Sequence, residues 1–218
     1  MRVIELKKSI TESNDEDAEK LREELSRKGI LLVNVMSSAG AGKTTLLKKL
    51  AKDMGKETSI AVVEADIASD TDAVNLTEAG IRSIQVHTDG MCHMDAGMTK
   101  RAVESLEGPD PDIIFLENVG NLICPAQFDT GARLKIMLLD VSEGDDKPLK
   151  YPLMFAESEA LVITKTDTLQ FFTFDTARCS EIAKRLNPGL KIFAVSAKTG
   201  EGMKELEDYI EETRRSLL

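Results

Sequence analysis

Residues 30–45 read ILLVNVMSSAGAGKTT: an apolar β-type run, a loop of small residues, and a Lys-Thr-Thr that opens a helical pattern. Strand, small-residue loop and helix in this order form a phosphate cradle. Backbone N–H groups of Gly40, Ala41 and Gly42 can wrap an anion because no bulky side chain stands in the way, and the positive end of the following helix lies at the same point. Lys43 is placed to reach the terminal phosphates of a nucleotide as a catalytic cation, the Thr44 hydroxyl suits Mg2+, and Thr45 completes the run. This motif ordinarily opens on Gly. Ser37 stands there instead, which requires either an undemanding backbone angle or a slightly strained Ser. A strand-to-helix turn that binds nothing is the competing account, and an intact GKTT after an apolar strand argues against it.

Beyond this stretch, apolar runs alternate with helical patterns. Strands are expected at Ile30–Met36, Thr58–Val63, Ser83–His87, Asp112–Leu116, Leu134–Leu139, Leu161–Ile163 and Lys191–Val195. Helices are expected at Lys43–Met54, Thr71–Ala79, Asp95–Leu106, Phe174–Leu186 and Glu201–Ser216. The strands are nearly continuous apolar runs, as in a parallel sheet covered on both faces. The fold class is therefore α/β, a three-layer, doubly wound, mostly parallel sheet of the P-loop NTPase type. Residues 1–29 form a charged amphipathic helical segment, with Ser13 and Glu16 at capping-box spacing, and residues 30–218 form the nucleotide domain with its metal site. Val141–Pro152 is the least regular stretch and reads as a mobile loop.

A formal net charge of −10 over 218 residues makes nucleic acid and anionic membranes poor partners. No apolar run is long enough for a signal sequence or a bilayer crossing, so the chain is expected to be cytoplasmic. In that compartment its three cysteines do not form a disulfide framework; metal binding, catalysis or burial are the roles left to them.

Thr164-Lys165-Thr166-Asp167 follows a strand and has the form of a guanine-reading loop, with Thr in place of the commoner Asn. The Asp167 carboxylate can accept from both the ring N–H and the exocyclic amine of guanine, whereas adenine offers neither donor and leaves the carboxylate unpaired. Ser196-Ala197-Lys198 follows the last strand, where it can pack on the same base. The nucleotide is expected to be GTP. Carboxylates cluster at strand ends: Glu64 and Asp66, then Asp72, then Glu117 in Glu117-Asn118-Val119-Gly120. The C-terminal ends of parallel strands face the ligand crevice. There Asp66, Asp72 and Glu117 can orient an attacking water, and Asp72 and Glu117 can hold Mg2+ beside Thr44. Helix capping is the structural alternative for Asp66 and Asp72.

Cys92-His93 and Cys124 fall in loops near this crevice, and two thiolates with an imidazole suit Ni2+ or Zn2+. Two buried thiols and a surface His are the alternative. Cys179 in a helical pattern and His87 at a strand end read as structural. Lys147 and Lys150 read as a solvated basic pair, with a nucleotide contact across a dimer as the competing role.

Taken in order, SSAGAGKTT, EAD, MCHMDAG, ENVGNLICPAQFD, DDKPLKYP, TKTD and SAKTGEG resemble the hydrogenase nickel-incorporation GTPases of the HypB type, within the P-loop GTPase superfamily. The resemblance runs from about Ile30 to the C-terminus. It implies that Cys92, His93 and Cys124 form a metal site at a dimer interface and that Glu117 belongs to the switch. It also implies a homodimer in the GTP state and a role in delivering nickel to the [NiFe]-hydrogenase large subunit, with a small zinc-containing maturation partner. The His-rich and Cys-rich N-terminal segments of some members are not matched, and Gly97 stands where some relatives place a further His. A urease-type nickel GTPase is the nearest alternative, but its Cys-Pro-His triplet is absent. A cobalamin-enzyme chaperone gives no reason for the Cys–His–Cys set, and a small-molecule kinase leaves TKTD unexplained. A nucleotide-gated dimer switch with a structural zinc is the non-enzyme alternative, distinguished by multiple-turnover hydrolysis.

Overall fold

The computed structural model describes residues 6–66 and 76–218, with side chains described from Glu12 onward. Helix α1 (Leu6–Arg27) precedes β1 (Leu31–Ser37), α2 (Lys43–Met54), β2 (Ile60–Asp66), β3 (Arg82–His87), α3 (Ala96–Glu104), β4 (Ile113–Glu117) and β5 (Leu134–Asp140). Short helices α4 (Lys147–Lys150) and α5 (Pro152–Ala156), then β6 (Ala160–Thr164), α6 (Thr176–Leu186), β7 (Lys191–Ala194) and α7 (Met203–Arg215) complete the chain. Among the described residues, seven strands form one sheet in the order β3-β2-β4-β1-β5-β6-β7, and every pairing is parallel.

The expected α/β class holds, and alternation along the central strands shows why the sheet is covered on both faces. Leu31, Val33 and Val35 of β1 point with Leu47 and Leu50 of α2 and Leu206 and Ile210 of α7 into one layer. Leu32 packs on the other face with Leu21 and Leu25 of α1 and Met98 and Ala102 of α3. Further along that face, Met36 meets Met154, Phe155 and the α6 residues Cys179 and Ala183. Each fully buried Leu, Ile or Phe in these layers contributes about 1.5–3 kcal/mol.

Three local expectations are corrected. Ser13 and Glu16 lie inside α1, which begins at Leu6, so they do not mark its start. Residues 141–152 are not an irregular loop. Asp140 caps the turn Val141–Glu143, with its side chain on the Ser142 N–H and Glu143 reaching back to the Asp140 N–H, and α4 and α5 follow. Capping by acidic side chains hides such a turn from any search for apolar periodicity. Thirdly, the strand bounds lengthen: β2 runs through Glu64 to Asp66 and β4 through Glu117, so these strand-end carboxylates lie within the strands. Most of the helix expected at Thr71–Ala79, including Asp72, lies outside the described residues, of which residues 76–78 are helical.

The link from β7 to α7 is set by Gly202, whose φ is +68°; a Cβ there would stand 2.0 Å from the Ala194 carbonyl oxygen. Both the left-handed backbone and the contact with main chain forbid a side chain. Gly202→Ala is expected to cost about 1–3 kcal/mol, read as a lower urea midpoint at unchanged slope.

Candidate functional site

The phosphate loop leaves β1 at its buried carboxyl end and enters α2 through two glycines in the left-handed region, Gly40 (φ 77°) and Gly42 (φ 93°). Ser37 does not join them, since Asp89 and Lys165 are the non-glycine residues with positive φ among those described. The undemanding angle is therefore the one adopted. The Ser37 hydroxyl donates to the Ser38 carbonyl at 2.6 Å and accepts from the Lys43 ammonium at 3.1 Å. Lys43 is thus held along the loop by a side chain that the usual glycine lacks.

The base-reading segments stand beside this loop. Thr164 donates to the Ala41 carbonyl at 2.8 Å, which ties β6 to the phosphate loop. Ser196 donates to Asp167 at 2.7 Å, and Lys198 lies 4.0 Å from its other oxygen. Ala41, Gly42, Thr45, Leu46, Lys165 and Asp167 help to line a cavity of about 280 Å3 that also reaches Ala197 and Lys198. Its lining is mostly apolar, with Asp167 among its few polar groups, a composition that suits a purine.

Lys165 spans the site. Its backbone is left-handed (φ 59°), its stem passes over Gly42, and its ammonium donates to the Gly40 carbonyl at 2.9 Å and to the buried carboxylate of Asp140. Asp140 was not singled out from sequence, although it ends β5 as Glu117 ends β4. The strand-end rule used for Glu117 also finds Asp140 once β5 is extended by one residue.

Glu117 accepts from the Thr44 hydroxyl at 2.8 Å. Two of the three groups expected at magnesium are therefore adjacent, and their oxygens suit a hard cation. Glu64 lies opposite Glu117 in the β2–β4 register, and Asp66 ends β2 on the crevice side. Asp72 lies outside the described residues. Gly120 follows with its backbone against the phosphate loop, where a Cβ would stand 2.9 Å from the Ala39 Cα and N atoms.

Four residues further on, Cys124 meets Cys92 and His93. One donor atom from each lies within 4.8 Å of the others, the one such cluster among the described residues. The two sulfurs are joined as a disulfide between residues 32 apart in sequence, with Cα atoms 6.2 Å apart. The expectation that no disulfide forms is corrected for this pair: loops leaving β3 and β4 at the same edge converge until the sulfurs touch. Reduction yields two thiols beside an imidazole. The His93 ring stacks on Phe128, with centroids 3.9 Å apart and planes 16° apart. Burial lowers its pKa from the ordinary histidine value, against the raising influence of Asp95, which favours the neutral donor form. Phe128, and the asparagines at 118 and 121, were not identified from sequence.

Cys179 is different in kind. It is fully buried in α6, and burial, with a smaller contribution from Asp145, pushes its thiol up to about 12. Lys147 pairs with Glu143 at 3.1 Å and Lys150 with Asp146 at 2.6 Å, so both basic side chains have acidic partners within the chain.

A glycine-shaped phosphate loop on the central strand, with a base cavity beside it, defines a P-loop nucleotide-binding domain. The family model described as the CobW/HypB/UreG nucleotide-binding domain matches residues 31–194. The hydrogenase maturation factor HypB of Azotobacter chroococcum mcd 1 is 42% identical over 217 residues, covering 100% of this chain and 71% of that protein. The crystal structure of HypB from Helicobacter pylori in complex with nickel is 36% identical with a TM-score of 0.87, covering 94% of this chain and 96% of that one. HypB from Archaeoglobus fulgidus is 34% identical with a TM-score of 0.85, covering 93% and 98%. The chain belongs to the CobW/HypB/UreG family, on its hydrogenase maturation factor HypB branch. Among the described residues no helix is long and apolar enough to cross a membrane.

After reduction, a thiol reagent is expected to modify Cys92 and Cys124 rapidly in the native protein and Cys179 only after denaturation, because only the thiolate reacts. Mass spectrometry of the labelled peptides checks the assignment.

Proposed function

We propose that this chain is a GTP-hydrolysing nickel carrier for [NiFe]-hydrogenase maturation, in which nucleotide state sets the grip of Cys92, His93 and Cys124 on the metal. The observation that carries it is the contact of Gly120 with Ala39, four residues before Cys124. A γ-phosphate in the loop meets the same backbone that leads to a metal ligand. The crystallised Helicobacter pylori relative holds nickel, and two thiolates with a neutral imidazole form a donor set that nickel accepts.

Lys43 supplies positive charge at the phosphates, and Asp167 with Ser196 selects guanine. Water attacks the γ-phosphorus in line, the bond to the β–γ bridging oxygen breaks, and GDP and phosphate leave. Glu117 and Asp66, at adjacent strand ends, would orient that water, with Asp72 as a further candidate. Thr44 and Glu117 would hold Mg2+, joined by Asp72, and the bound ion neutralises charge on the phosphates. Three protein donors leave a four-coordinate shell incomplete, and the exposed apolar residues Met91 (42%) and Ile123 (55%) flank the ligands. Both features favour a homodimer that meets at this edge. The small zinc-containing maturation protein and the hydrogenase large subunit are the partners that such a carrier needs. Zinc competes for the same thiolates and is the ion of the alternative, a structural dimer switch.

Nickel titration under reducing conditions, with GDP and with a slowly hydrolysed GTP analogue, is expected to give affinities that differ by roughly 5–150-fold. A Cys92→Ala, Cys124→Ala double variant is expected to lose the site, and equal affinities in the two nucleotide states would sink the coupling. Asp167→Asn replaces an acceptor by a donor and is expected to weaken GTP by roughly 100-fold or more while favouring xanthine nucleotides. Competition between XDP and GDP reads this out.

A further inference from the structure

Two asparagines divide the metal ligands into a half fixed to the sheet and a half attached to the phosphate loop. Asn118 is fully buried. Its amide donates to Asn34 of β1 at 3.1 Å, and its oxygen accepts from Val119 at 2.9 Å and from the Met94 N–H at 3.2 Å. Met94 is the residue after His93, so the Cys92-His93 segment is moored to β1 through a point upstream of Gly120.

Asn121 does the opposite. Its side-chain oxygen accepts from the Ile123 N–H at 2.7 Å and the Cys124 N–H at 3.3 Å, while its amide nitrogen lies 3.5 Å from the Cys124 sulfur, to which it donates. Pro125 follows, with no N–H to add to the turn. One side chain thus splints the segment from Asn121 to Cys124 immediately after the glycine that touches Ala39. A shift at Gly120 would carry Cys124 with it, while the Asn118 bond to Met94 would hold His93 in place.

We infer that Asn121 is a positioning residue of the metal site, conveying displacement of Gly120 to the Cys124 sulfur and tuning that sulfur by donating to it. The inference rests on the function proposed above. Hydrogen bonds to a metal ligand fix its orientation and basicity, and losing one typically costs about 10–100-fold in metal affinity.

The test compares Asn121→Ala, which removes both the splint and the donor, with Asn121→Asp, which keeps the acceptor for the two N–H groups and removes the donor to sulfur. Nickel affinity is measured under reductant with GDP and with a GTP analogue, together with the sulfur-to-nickel charge-transfer absorption. Thermal melts of the metal-free proteins report folding. Asn121→Ala is expected to bind nickel about 10–100-fold more weakly and to lose most of the nucleotide dependence. Asn121→Asp is expected to retain the nucleotide dependence while shifting the charge-transfer band. Wild-type nucleotide dependence and an unshifted band in both variants would overturn the inference. Cys124→Ala separates the two ideas. If it binds nickel as tightly as the parent, the site itself is wrong and the inference falls with it; if it loses nickel while both Asn121 variants match the parent, only the inference falls.

Discussion

The arrangement depends on backbone meeting backbone at Gly120, whose missing side chain lets the segment after β4 lie against Ala39 of the phosphate loop. A methyl group at that point would stand 2.9 Å from main-chain atoms that cannot rotate away. The contact exists because β4 is hydrogen-bonded to β1 in register, Val35 opposite Glu117, so the chain leaving each strand emerges at the same edge. Parallel pairing thus brings the phosphate loop and the segment that leads to Cys124 to one edge without any dedicated connecting element.

Charge is organised on the same edge by short links between loops. Lys165 joins the base-reading loop to the Gly40 carbonyl and the Asp140 carboxylate, and Thr164 adds a second tie to Ala41. Asp140 in turn caps the turn that begins residues 141–152. A buried carboxylate that meets an ammonium and a backbone N–H is compensated, and through Lys165 it links the phosphate loop, the base-reading loop and the turn after β5.

The fold was legible because both periodicities were strong. Seven apolar runs became seven strands, and Lys43–Met54 became a helix with the expected limits. Strand ends were less clear, since Glu64, Asp66 and Glu117 are polar residues that nonetheless pair in the sheet, and polarity reads as loop. The phosphate and base segments carried their own spacing. The grouping of Cys92, His93 and Cys124 rested on loops expected to end near one crevice and on the chemistry of the donors, since 32 residues separate the two cysteines and spacing alone cannot join them; the resemblance added the dimer interface. The disulfide, the Asn118 and Asn121 bonds and the Phe128 stack have no sequence signal of their own. Each depends on how two loops approach in space.

The stacking of His93 on Phe128 also bears on entropy. An imidazole already clamped face to face has little rotational freedom left to lose when a metal arrives, so ordering that ligand costs less than ordering a free side chain. Preorganised in this way, His93 would offer a bound ion one fixed direction to which the rest of the shell conforms. Selectivity among ions at such a site would fall on coordination shape more than on raw affinity.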